Sequence, residues 1–273
     1  MPAAALGLAL GAAFLHAYWN VFLGRSQDIE AATAVVLVFS VILFAPVAAF
    51  AGRVTWAAAP WIAASSVLEL AYFALLAAGY RRSDVSLVYP VARGLAPVVV
   101  LVLAVVAGRA TSTGQVLGVC AVGTGVFLVR GLARRADTRG LLFGVVIACF
   151  IAGYTLVDKE GIRYASPIPY LELVLAGPAF AYLAAMLVLR GREAVRAEVR
   201  PVYGVLAAAG FGAYSLVLAA LQLAPAASVA AVRETSVVIA TVLAAVVLRE
   251  RVTRVRLVGS AVVAGGIALL ALS

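Results

Sequence analysis

The 273-residue chain is 65% hydrophobic and only 12% charged, about half the charged share of an ordinary soluble domain, which excludes a water-facing globular surface. Its net charge of +9 sits on arginines in short linkers between apolar runs, with no basic domain or aromatic-interleaved groove, so nucleic acid is excluded as a partner. Cys120 and Cys149 lie inside apolar runs, far from any His or acidic cluster, which excludes a disulfide framework and a metal centre.

Apolar runs of about 20 residues recur from end to end, each long enough to cross roughly 30 Å of hydrocarbon as a helix. The expected fold class is therefore all-α integral membrane, with the lipid bilayer as the first partner. Closing each run at the nearest charge, proline or glycine cluster predicts ten transmembrane helices. The first, about residues 3–23, lacks the basic leader of a signal peptide and reads as a retained span. Its His16, Trp19, Asn20 and Leu23 share one face. A titratable ring, an aromatic wall and an amide there make a candidate cavity wall; a packing histidine and an interfacial tryptophan are the plainer readings.

The second helix covers about 31–51 and the third about 57–80, with Glu69 near its middle and Tyr72 and Phe73 on the same face. Ionisable groups in hydrocarbon are costly and usually face a bundle interior or a wet cavity. Glu69 is a candidate for proton exchange or substrate contact, or else a permanently ionised structural partner. The fourth helix, about 84–107, holds Arg93, which stays protonated under any relevant condition and follows Tyr89 by four residues on one face. Pro90 and Pro97 flank it and free carbonyls that could line a cavity. Arg93 reads either as a bidentate clamp for a substrate carboxylate or phosphate or as a structural pair with Glu69. The fifth helix follows at about 114–130.

The polar stretch 130–140, with Arg134, Arg135, Asp137 and Arg139, divides the chain into units 1–133 and 134–273. The second set of helices is predicted at about 140–157, 167–189, 202–222, 226–248 and 255–272. Tyr154 in the sixth helix is the polar-aromatic counterpart of the first helix's face, and Tyr214 in the eighth that of Tyr72. Glu172, about five residues into the seventh helix, reads as a group reaching the interface. In the ninth, Arg233 sits beside Glu234, which lies about 100° round the helix and does not face it; Arg233 then needs a partner from another helix or a ligand, and Glu234 is a bridging or interfacial carboxylate. Gly114 with Gly118, and similar pairs, follow the small-xxx-small spacing that lets helices approach closely. They imply contacts within the bundle or a homodimer seam at the fifth and tenth helices. There is no phosphate-binding glycine loop, so ATP is not the direct drive and no cofactor is expected; nor is there a nucleophile or metal set that would make the chain an enzyme.

An odd number of helices per half means that the second half re-enters the membrane the other way, the inverted-repeat plan of many secondary transporters. A shift of 140 positions matches Arg93 with Arg233, Arg109 with Arg249 and Thr113 with Thr253. The linkers after the odd-numbered helices hold fifteen arginines, against three arginines and Lys159 in the linkers of the opposite side. Basic residues flanking spans are held on the cytoplasmic side, which predicts both termini outside.

The segments His16-Ala17-Tyr18-Trp19-Asn20, Ser83-Asp84-Val85-Ser86-Leu87-Val88-Tyr89-Pro90-Val91-Ala92-Arg93-Gly94 and Arg233-Glu234-Thr235-Ser236, with Arg249-Glu250-Arg251 and the glycine-rich fifth and tenth helices, resemble the drug/metabolite transporter superfamily, EamA type. The resemblance covers essentially the whole chain and implies a multi-pass protein of the cell (inner or plasma) membrane. It would export or exchange a small metabolite, such as an amino acid or organic anion, by alternating access around a midplane cavity, with a proton as candidate coupling ion. A flippase for a lipid-linked substrate is the alternative. Multidrug efflux is a weaker one: the first helix has no embedded glutamate, which cation-exporting relatives use. The family's lysine past the helix-one asparagine is also replaced, by Gly24 and Arg25, and Gly108-Arg109-Ala110 lacks a counterpart of Glu250.

Overall fold

A computed structural model describes the backbone of residues 1–83, 85–130, 138–248 and 253–273; within these stretches the side chains of residues 80, 85–87, 89, 90, 130, 241, 243–248 and 256 lie outside the description. The described residues form α1 (Ala3–Leu23), α2 (Ile29–Phe50), α3 (Ala59–Arg82), α4 (Val85–Val106), α5 (Thr113–Arg130), α6 (Thr138–Gly161), α7 (Pro167–Leu189), α8 (Arg192–Ala197), α9 (Val202–Leu223), α10 (Ala226–Arg233), α11 (Thr235–Leu248) and α12 (Arg254–Leu272). Six spans are long and apolar enough to cross a membrane: α1, α2, α6, α7, α9, and α3 together with its leading 3-10 turn. Shorter apolar helices run over Val91–Val106, Thr113–Val129 and Leu257–Leu272.

Local chemistry sets several ends. Asp28 caps α2, its carboxylate accepting from the N–H groups of Glu30 and Ala31 at 3.0 and 3.1 Å, which satisfies two donors that a helix start leaves open. Gly52 turns the chain between α2 and α3 with φ +144°, where a Cβ would stand 2.3 Å from Ser166 Oγ; only glycine fits both conditions.

Two expectations are corrected. The sixth helix does not stop at 157 but runs to Gly161. The charges used to close it are accommodated: Asp158 is fully buried, and the Lys159 ammonium donates to the carbonyls of Leu221 and Ala224 at the end of α9, where a cation suits the helix terminus. The ninth helix is not continuous but breaks at Glu234 into α10 and α11. There the Glu234 N–H turns to the carbonyl of Ala231 and the Thr235 hydroxyl donates to that of Val232 at 2.6 Å, a tightened turn that replaces the regular ladder.

Most extensive interfaces join a helix before the mid-chain linker to one after it: α1 on α9, α2 on α7, α3 and α4 on α6, α5 on α12. The turns around Gly24 and Ser83 and the α7–α9 connection share one end of the bundle, here the near end. Glu30 there receives Arg190 at 2.9 Å and Arg81 at 3.5 Å, and Glu198 accepts the N–H groups of Gln27 and Asp28, both at 2.9 Å. At the far end the Met1 ammonium reaches the carbonyls of Leu270 and Ala271, each at 3.3 Å, so the two termini meet. The far end is also sealed by loops: Thr55 N–H donates to Tyr164 O at 3.0 Å and Ser166 N–H to Arg53 O at 2.9 Å, around an isolated bridge between Val54 and Ala165.

The glycine faces of α5 and α12 meet each other inside the chain. A Cβ on Gly125 would stand 2.6 Å from Val263 Cγ2 and 2.8 Å from Gly259 O, and one on Gly118 2.9 Å from Gly266 O. Of the two readings open for these glycines, contact within the bundle is the one observed, and the same faces are not free to form a homodimer seam. Gly125→Val should therefore destabilise the protein by about 1–3 kcal/mol through overpacking against backbone, read as a lower thermal midpoint in detergent. Gly7→Ala, at a position with nothing within 4 Å, should leave the midpoint within about 0.5 kcal/mol of wild type; equal midpoints for the two variants would contradict the packing.

Candidate functional site

A cavity open to solvent lies between α1, α2, α3, α4, α6, α7, α9 and α10. Trp19, His16 and Thr33 line it toward the near end and are half-buried, whereas Glu69, Arg93, Arg233, Leu171 and Phe211 deeper in are buried. The space thus runs from the near end into the buried interior of the bundle. Tyr72, Tyr154 and Tyr214 complete the wall.

Eight of the residues singled out by sequence line this one space: His16, Trp19, Glu69, Tyr72, Arg93, Tyr154, Tyr214 and Arg233. Asn20 is not among them; its amide turns back to donate to the His16 carbonyl at 2.8 Å. Glu234 stands behind the wall, fully buried. The side chain of Tyr89 lies outside the described residues.

The three tyrosines form a chain of edge-on rings, Tyr72 to Tyr154 at 5.9 Å and Tyr154 to Tyr214 at 6.0 Å between centroids, a favoured aromatic geometry. On the opposite flank the Trp19 indole N–H donates to His16 Nδ1 at 3.3 Å, which assigns the proton of the neutral ring to Nε2. Ser40 donates to the carbonyls of Val36 and Ala207 at 2.8 and 3.2 Å, tying α2 to α9 at the cavity edge.

The charged wall differs from the sequence reading. Arg93 does not pair with Glu69 among the described ion pairs; its Nε lies 3.0 Å from Glu234 Oε2, and Arg233 Nε lies 3.9 Å from Glu234 Oε1. The helix break makes this geometry: with the chain turned at Glu234, the carboxylate faces α4 and its own neighbour together, instead of pointing 100° away as on a regular helix. One carboxylate therefore stands between two guanidiniums, and Arg93 and Arg233 are each 4% exposed. The Arg233 guanidinium also lies 6.0 Å over the Tyr214 ring, within cation–π range.

Below the cavity floor lies a group that the sequence reading passed over. Asp158 on α6 is 0% exposed and accepts hydrogen bonds from Tyr170 on α7 at 2.9 Å and from Tyr214 on α9 at 2.5 Å. The available signal was its spacing, four residues past Tyr154 on one helical face. Using every charge as a helix stop removed it from view.

Residues 138–272 match the EamA-like transporter family. Through this half the chain belongs to the EamA-like transporter family, within the drug/metabolite transporter superfamily. A crystal structure 16% identical in sequence superposes on the chain with a TM-score of 0.76, spanning 100% of this chain and 98% of its own; at that identity the likeness is one of fold. No curated protein matches the sequence. The EamA-like family is one of membrane transporters, so the chain is a multi-pass membrane protein that carries small molecules.

Proposed function

We propose that this EamA-like protein is a secondary active transporter, an exporter or exchanger of a small metabolite bearing an anionic group, such as an amino acid or organic anion. It alternates access around the cavity between two inverted five-helix units, 1–133 and 134–273. Its ten spans are α1 to α7, α9, α10 with α11, and α12, and both termini lie outside, as the arginine asymmetry orients them. The observation that carries the reading is the wall where Arg93 and Arg233, 140 positions apart, meet over one shared carboxylate. Two guanidiniums that stay protonated thus border a largely apolar space with Glu69 as the acidic group in the wall, and a guanidinium fork there suits a substrate carboxylate or phosphate.

The packing supports the repeat. α1 packs on α9, α10 and α11 as α6 packs on α3 and α4; α2 packs on α9 as α7 packs on α3. α2 with α7, and α5 with α12, pair with their own counterparts across the seam. This is the pattern that a two-fold relation between five-helix units generates, and in such folds the substrate site lies at the repeat interface near the midplane.

In proteoliposomes loaded with an unlabelled amino acid or organic anion, external labelled substrate should accumulate transiently by counterflow, with saturable kinetics. Uptake no greater than in empty vesicles across a panel of amino acids, carboxylates and phosphate esters would refute the reading.

A further inference from the structure

Asp158 lies outside the cavity wall, at its closed end, where the bundle is solid. Tyr170, Leu218 and Leu221 are each 0% exposed and Ile162 is 2% exposed. Its two oxygens are used separately, Oδ1 by Tyr170 and Oδ2 by Tyr214. The carboxylate thus clasps three helices, α6, α7 and α9, at the end away from the cavity mouth. Among the described residues no cation lies within ion-pair distance of it. The charged and titratable groups facing it are Glu69 from α3 and Arg233 from α10, beside the two tyrosines; Ser65, also fully buried, faces it from α3.

The donor and acceptor inventory makes this clasp sensitive to one proton. An ionised carboxylate only accepts, so it holds both tyrosine hydroxyls as donors. A carboxylic acid must donate its own O–H, to one of the tyrosine hydroxyls or to the Ser65 hydroxyl that also faces it. The oxygen that carries the proton is then a poor acceptor, so its tyrosine must reverse its hydroxyl or let go, and a charge-assisted bond is replaced by a neutral one of roughly half the strength. Tyr214 is the consequential partner, because its ring is also the cavity wall beneath Arg233.

We infer that Asp158 is a proton-binding site that controls the far-end closure: ionised, it locks α6 to α7 and α9 through Tyr170 and Tyr214; protonated, it releases one of them and loosens the barrier beneath the cavity. This rests on the transport reading for its purpose but not for its test. Within it, the proton is the coupling ion, taken up at a residue separate from the substrate's arginines and linked to them through Tyr214.

The test uses full-length protein in nanodiscs with Cys120 and Cys149 replaced by serine and a single reporter, Ile162→Cys, placed beyond the clasp. Asp158→Asn mimics the neutral acid, with one accepting oxygen and one donating group. At pH 8 the Asn variant should react with a charged methanethiosulfonate at least tenfold faster than the Asp158 protein, and infrared spectra of the Asp158 protein should show a carboxylic acid band on acidification that the Asn variant lacks. Equal labelling rates, or identical acid-band titrations, would overturn the proposal. Should Asp158→Asn fail to fold, Tyr214→Phe, which removes one arm of the clasp, should accelerate labelling in the same way; an unchanged rate there would also overturn it. No flux is measured, so a failed transport assay and a failed clasp give distinguishable results.

Discussion

Glu234→Gln is expected to be the most destabilising single polar substitution in the molecule, at about 3–5 kcal/mol. The carboxylate is 0% exposed and stands between two arginines that are each 4% exposed, with Arg93 Nε at 3.0 Å and Arg233 Nε at 3.9 Å. Removing its charge leaves two buried cations facing each other without their shared anion, which low-polarity surroundings penalise far more than water would. The loss should appear as a large drop in thermal midpoint and in yield of monodisperse protein. A double variant, Arg93→Gln with Glu234→Gln, should recover part of it, since one of the two repelling charges is then gone. A double-mutant cycle isolates that coupling, and near-additive effects would show that Glu234 does not neutralise Arg93. A Glu234→Gln protein as stable as wild type would show that other groups hold the arginines.

The positions of the spans were legible because lipid forces length: a run of about 20 apolar residues has few other uses. Arg93 and Arg233 were legible as a pair too, because a fixed shift of 140 carries one onto the other, and the structure places both in the wall of one cavity. Contacts between residues far apart in sequence were not. Glu30 receives Arg81 and Arg190 at the near end, yet nothing local to Glu30 marks these partners. Glycine spacing announced close helix approach at α5 and α12 but not whether the partner was the same chain or a copy. The helix break at Glu234 was hidden for a different reason: it contains no proline or glycine, and the chain turns there because the buried charges and the Thr235 hydroxyl draw it off the regular ladder. Asp158 was lost to the assumption that a charge ends a span, which fails wherever buried hydroxyls satisfy the carboxylate.

Arg233→Lys is expected to weaken substrate handling most while leaving the fold largely intact. Arg93 and Arg233 share one carboxylate, which lies closer to Arg93, at 3.0 Å against 3.9 Å. Arg233 is therefore less committed to Glu234, and it lies 6.0 Å over the Tyr214 ring at the cavity wall. A lysine keeps the positive charge but loses the planar fork that binds a carboxylate through two parallel N–H groups. Losing one charge-assisted hydrogen bond of about 1.5–3 kcal/mol corresponds to roughly a 10- to 150-fold loss of affinity. In counterflow, Arg233→Lys should raise the half-saturation concentration by at least about tenfold with little change in thermal midpoint. Arg93→Lys should divide the other way, lowering the midpoint more than it raises half-saturation, because its partner is Glu234. If the two lysine variants change transport and stability in the same proportion, the arginines act as one structural cluster and the anion-binding role of Arg233 is refuted.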